Sequence, residues 1–118
     1  MSLQPLIQKL SDAEEPSRKF DTAIAIALGF ESFEEEGTRK VLWLHPHSKT
    51  PTRIPWYTRS LDEAKELLDV ILPNSAVALS WTAEGLFYAK IEGGDACRGA
   101  TGPLAICIAA LSYHNSIR

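Results

Sequence analysis

His45 and His47 flank Pro46, and two imidazoles two positions apart can face one metal ion if His114 or Cys97 completes the set. The spacing matches no zinc signature, so both histidines are read as loop residues and no metal is expected. Ser48 or Cys97 with a histidine and Asp95 supplies the residue types of a nucleophilic triad. No G-x-S-x-G elbow or cysteine-enzyme motif surrounds them, and any chain of this size holds such types by chance. Asp21 and Asp62 are carboxylates near helix starts, where the helix dipole alone accounts for an acid. The chain is therefore read as non-enzymatic. Gly93-Gly94 and Gly99-Ala100-Thr101-Gly102 precede an apolar segment but lack the lysine that completes a phosphate cradle, so no cofactor is expected.

Arg53, Trp56, Tyr57 and Arg59 form the stronger constellation. Alternating cations and aromatics can stack bases and hold phosphates. Arg39, Lys40 and Lys49 would extend the patch, since residues 38–60 carry five bases and no acid. Against this stand a net charge of −3 and the acidic run Glu34–Glu36, which can pair with those bases. Trp56 and Tyr57 can equally close one end of a core, with Pro55 setting the chain direction. Packing is the favoured reading; these four residues are the candidate binding site, and nucleic acid is the alternative partner.

At 118 residues, 45% hydrophobic and 23% charged, the chain is long and apolar enough to fold as one domain over 1–118. The longest apolar run, Leu104–Leu111, is far short of the roughly 20 residues that span a bilayer. The opening MSLQPLIQKL lacks the pattern of a secretory signal, which makes the bacterial cytoplasm the expected location and a membrane an unexpected partner. Two cysteines outside any CxxC make no disulfide framework.

The elements that must position these residues follow from periodicity. Leu3, Leu6, Ile7, Leu10 and Ala13 mark a helix that stops before Pro16. Ser17 caps a second helix burying Phe20, Ile24, Ala27 and Leu28, and Gly29 suits its end. Val41–Leu44 reads as a strand between a turn at Glu34–Gly37 and a loop over 45–54. Ser60 and Glu63 form a capping box for a helix with a Leu61, Ala64, Leu67, Leu68, Ile71, Leu72 stripe. Residues 76–82 and 86–92 flank a Gly85 turn, with Val77, Leu79, Trp81, Phe87, Ala89 and Ile91 on one face. The other face, with Ala78, Leu86 and Tyr88, is not cleanly polar and calls for cover as well. A flexible loop over 93–99 leads to a last helix from Leu104 to about Tyr113, introduced by Thr101 and Pro103. That helix is apolar on most sides, so it must be buried in the chain or in a homodimer contact. The expected order is α-α-β-α-β-β-α, an α+β fold with one small antiparallel sheet between helices.

Three segments, DTAIAIALGF (21–30), PWYTRSLDEA (55–64) and GATGPLAICIAAL (99–111), resemble a family of small, uncharacterised phage and prophage proteins with an α-β-α sandwich domain. Gly102 departs from that pattern by separating Thr101 from Pro103. The resemblance implies a three-layer sandwich and a phage or prophage accessory protein. It carries no catalytic residues.

Overall fold

The computed structural model describes residues 2–38 and 40–116. Helix α1 (Gln4–Asp12) is followed by α2 (Arg18–Leu28), β1 (Glu31–Glu34), β2 (Val41–Leu44) and β3 (Pro51–Thr52). Then come α3 (Leu61–Ile71), β4 (Val77–Trp81), β5 (Phe87–Ile91), β6 (Cys97–Gly99) and α4 (Gly102–Ser116). The fold is α+β, and the seven expected elements occur in the expected order. Three short strands join them, and the strands form two separate antiparallel sheets, β1-β2-β3 and β4-β5-β6.

The added strands lack an apolar period of their own. In β1 (Glu-Ser-Phe-Glu) every residue is exposed, and the strand exists because it pairs with apolar β2, Phe33 opposite Leu42. The expected loop over 45–54 is a hairpin return: His45 N–H donates to the Thr50 carbonyl at 3.0 Å, and β3 pairs Trp43 with Thr52. Inside the 93–99 loop, β6 pairs Ala89 with Cys97 and Phe87 with Gly99.

Helix ends follow local chemistry. Ser17 Oγ accepts from Lys19 N–H, and Gly29 at φ +102° closes α2 through bonds to Ala25 and Ile26. Such a positive φ is open to glycine, whereas a residue with a Cβ is strained there. Thr101 Oγ1 accepts from Leu104 N–H at 3.3 Å, and the helix it opens runs three residues past Tyr113. Leu3 N–H donates to Asn115 Oδ1, which ties α1 to the last turn of α4.

The core is built around α4, whose residues from Leu104 to Leu111 are all buried. It packs against α1 and α3 and against β5 and β6. Leu10, Ile24, Leu67, Leu68, Leu104 and Leu111 are fully enclosed, and each such side chain is worth about 1.5–3 kcal/mol on burial. The apolar girth of α4 is thus covered inside one chain, which removes that reason for a dimer. Ala89 and Ile91 carry the inner face of the hairpin, but Trp81 is 68% exposed. It sits at the last position of β4, its ring 6.3 Å from that of Phe87. On the outer face Ala78, Ser80, Lys90 and Arg98 are exposed, so the anticipated second cover is lacking among the described residues.

Candidate functional site

Residues 53–60 connect the first sheet to α3, and their side chains divide between core and surface. Ile54, Tyr57 and Thr58 turn inward, while Arg53, Trp56 and Arg59 turn out. Tyr57 is 1% exposed, and desolvation lifts its phenol well above the ordinary tyrosine range. It is a core residue and offers nothing to a partner. Its carbonyl accepts from the Cys107 thiol at 3.2 Å, joining the segment to the middle of α4.

The segment is held from two sides. On one side Asp21, 1% exposed in the first turn of α2, accepts from both Thr58 N–H and Thr58 Oγ1 at 2.8 Å. Thr58 Oγ1 in turn accepts from Ser17 N–H at 3.1 Å. Arg18 completes this side, donating to Asp21 Oδ2 at 3.0 Å and to the carbonyls of Pro55 and Ile54 at 3.1 and 3.0 Å. On the other side stands Glu63 of α3. Ser60 Oγ caps Glu63 N–H at 3.3 Å as the motif requires. The Glu63 carboxylate does not return to the capping residue, however. It reaches further back, to Trp56 N–H at 3.0 Å and to Arg53 at 2.8 Å. The capping box is therefore half formed, and its second half fastens the loop.

Glu63→Ala frees both Trp56 N–H and Arg53. Arg53 is largely solvent-exposed and adds little, so the expected loss is about 1 kcal/mol, from the orphaned backbone donor. Urea titration of the variant checks this value.

These constraints present Trp56, 38% exposed, beneath two guanidinium groups. The Arg18 guanidinium carbon lies 4.3 Å from the ring centroid and that of Arg59 5.5 Å away, both within cation–π range. The dip between them, lined by Pro16, Ser17, Asp21, Trp56 and Thr58 among others, has a volume of only about 50 Å³. That holds a water or two, whereas small-molecule sites run to roughly 300–1,000 Å³.

The other candidates separate. His45 Nδ1 accepts from the backbone N–H groups of His47 and Ser48, which closes the β2–β3 turn, and its ring stands edge-on to Phe30. Among the described residues no group of three or more His, Cys, Asp or Glu is placed to hold a metal ion. Cys97 borders a cleft of about 560 Å³ with Asp95, Ser112 and Tyr113, and no histidine lines it among the described residues. Burial raises the Cys97 thiol, which opposes a thiolate. Gly99 packs against the backbone of α4, and Gly102, the first residue of that helix, against the side chains of Leu79, Leu61 and Phe87, so neither opens onto a phosphate cradle.

Of the base-rich segment, Lys49 meets Glu31 at 4.0 Å and Arg53 meets Glu63. Among the described residues the acids engaged by this segment are thus Glu31 and Glu63. Arg39 lies outside the described residues. Sequence reasoning missed Arg18, Thr58 and the hub role of Asp21. The Arg18–Asp21 spacing of i,i+3 was the only local signal for them.

Fold and site together define an α+β protein with an aromatic–guanidinium cluster on its surface and no ligand-sized pocket at that cluster. Compared with family models, curated proteins and solved structures, the chain matches none of them. No helix among the described residues is long and apolar enough to cross a membrane.

Proposed function

We propose that this chain is a non-enzymatic interaction module whose Trp56 cluster docks a protein partner, in the role of a bacterial phage or prophage accessory protein acting in the cytoplasm. The observation that carries the reading is the preorganisation of Trp56. Its backbone N–H is held by Glu63, its preceding carbonyls by Arg18, and its ring by two guanidiniums. Interfaces concentrate their energy in tryptophan and arginine, and a side chain already fixed loses little entropy on binding. The phage assignment rests on the three resembling segments. The three-layer sandwich rests on the same resemblance; helical cover is found on one face of the β4–β6 sheet, where α4 packs against β5 and β6.

The second reading is nucleic-acid contact through 38–60, favoured by Arg59 beside Trp56. Ion pairing weighs against it: Arg18 and Arg53 are each matched by a carboxylate, leaving Arg59 as the cluster's one cation without such a partner among the described residues.

The two readings differ in what Trp56→Ala and Arg59→Ala do. Against a protein partner recovered from the host cell, Trp56→Ala is expected to weaken binding at least about thirtyfold, in line with a hot-spot tryptophan. Single-stranded DNA titrated at low salt is expected to show no retention. Retention that falls steeply with salt and with Arg59→Ala would install the second reading in place of the first.

A further inference from the structure

Sheet edges expose backbone donors and acceptors, and proteins guard them with charge, proline, brevity or cover. Three of the four edges here are guarded. Strand β1 carries Glu31 and Glu34, β3 is two residues long and begins with Pro51, and β6 is three residues long and packs against α1 and α4. Strand β4 has none of these protections. It is five residues of Val-Ala-Leu-Ser-Trp, β5 is the only described element that runs along it, and no charged residue occurs between Asp69 and Glu84.

The hydrogen-bond phase of this edge is determined. Glu92 N–H donates to the Ala76 carbonyl and Thr82 N–H to the Leu86 carbonyl, both toward β5. Antiparallel pairs alternate between bonded and non-bonded positions. Ala76, Ala78, Ser80 and Thr82 therefore spend their backbone groups on β5, and Val77, Leu79 and Trp81 aim theirs outward.

We infer that β4 is a homodimerisation edge: two copies pair antiparallel about a two-fold axis at Leu79, joining their sheets into one of six strands. In this register Leu79 meets Leu79 of the second copy, and Val77 meets its Trp81 and the reverse. Every outward N–H and C=O of the three residues then finds a partner. The edge is complementary to itself in hydrogen bonding, and it is neutral in a chain that is acidic overall, so two copies meet without like-charge repulsion. The pairing also covers Trp81, 68% exposed in the single chain, by placing its ring over Val77 of the other copy. A partner of other sequence would gain the same backbone bonds but not this reciprocal Trp–Val fit. The contact is small against the roughly 1,200–2,000 Å² of a stable interface, so the dimer belongs in the micromolar range.

Sedimentation velocity of the full chain from about 5 to about 500 µM brackets such an affinity. The wild type is expected to shift from monomer to dimer across that range. Trp81→Lys, at an exposed position, is expected to raise the dissociation constant at least tenfold, while the unfolding temperature at low concentration falls by no more than the few degrees that the lost Trp81–Phe87 ring contact accounts for. Trp56→Ala is expected to dimerise as the wild type does, which separates this edge from the surface proposed above. The register is read by cysteines. Ala78 and Ser80 of opposite copies form a non-bonded pair about 4.5 Å apart at Cα, within disulfide reach. With Cys97→Ser as background, Ala78→Cys/Ser80→Cys is expected to give linked dimers with oxidised glutathione, and neither single variant is. A chain monomeric throughout, a dimer indifferent to Trp81→Lys, or a doubly substituted chain that does not link each overturns the inference.

Discussion

Gly99→Ala is expected to destabilise the protein by about 3 kcal/mol or more, the upper range for an overpacked site. A Cβ at this position would lie 2.5 Å from the Ala105 nitrogen, 2.8 Å from its Cα and 3.0 Å from the Leu104 carbonyl carbon. All three are backbone atoms of α4. A side chain in the way could change rotamer, but the helix backbone cannot yield without moving the whole element. Because α4 also supports α1, α3 and β5, its displacement would loosen the entire core. Differential scanning calorimetry should show a drop in Tm of about ten to twenty degrees for a domain of this size. Gly94→Ala is the control, since its new Cβ would come no nearer than 3.4 Å to the Ile91 carbonyl oxygen. That change should move Tm by no more than a few degrees. Equal losses at both glycines would refute the steric account.

The second large effect is at Asp21, where alanine is expected to cost about 3 kcal/mol. The loss strands a buried backbone N–H and hydroxyl of Thr58. Arg18 is partly exposed and can turn to water, so its lost ion pair contributes little. Asp21→Asn separates the two contributions. It keeps an oxygen for Thr58 and replaces the Oδ2 that accepts from Arg18 with an NH2 group, from which the part-exposed Arg18 can turn away to water, so it should cost less than half as much as alanine. Urea titration measures both, and a double-mutant cycle of Asp21→Ala with Thr58→Val should return a coupling of at least about 1 kcal/mol. A coupling near zero would mean that the hub does not join α2 to the 53–60 segment. Since the same hub carries Arg18, tryptophan fluorescence should report a looser Trp56 in Asp21→Ala.

How legible the molecule was depended on the range of the interactions involved. The Ser60 cap of α3, the Gly29 stop of α2 and the Gly85 turn are written within a few residues and appear where their spacing places them; of the α3 stripe, Ala64, Leu67 and Leu68 are buried, while Leu61 at the first position is exposed. Glu63 shows where this stops working. Its position three residues after Ser60 predicts a reciprocal cap, yet its carboxylate goes to Trp56 N–H, a donor that only the incoming loop brings within reach. Tyr57 and Trp56 are adjacent aromatics with opposite fates, one in the core and one on the surface. The difference is set by Asp21 and Glu63 gripping the chain between them.

Helix positions, caps and the need to cover α4 on all sides are determined by sequence alone, because a helix satisfies its own backbone and needs only one apolar stripe or girth to declare itself; that the cover comes from within the chain was decided by the tertiary structure. Strands β1, β3 and β6 were decided by tertiary structure. Their hydrogen bonds belong to residues elsewhere in the chain, and Glu-Ser-Phe-Glu or Cys-Arg-Gly carries no period that names a partner. The same holds for the Asp21–Thr58 hub and the open edge of β4. A polar contact across 37 residues, or the lack of a neighbouring strand, becomes a property of the molecule only once the chain has folded.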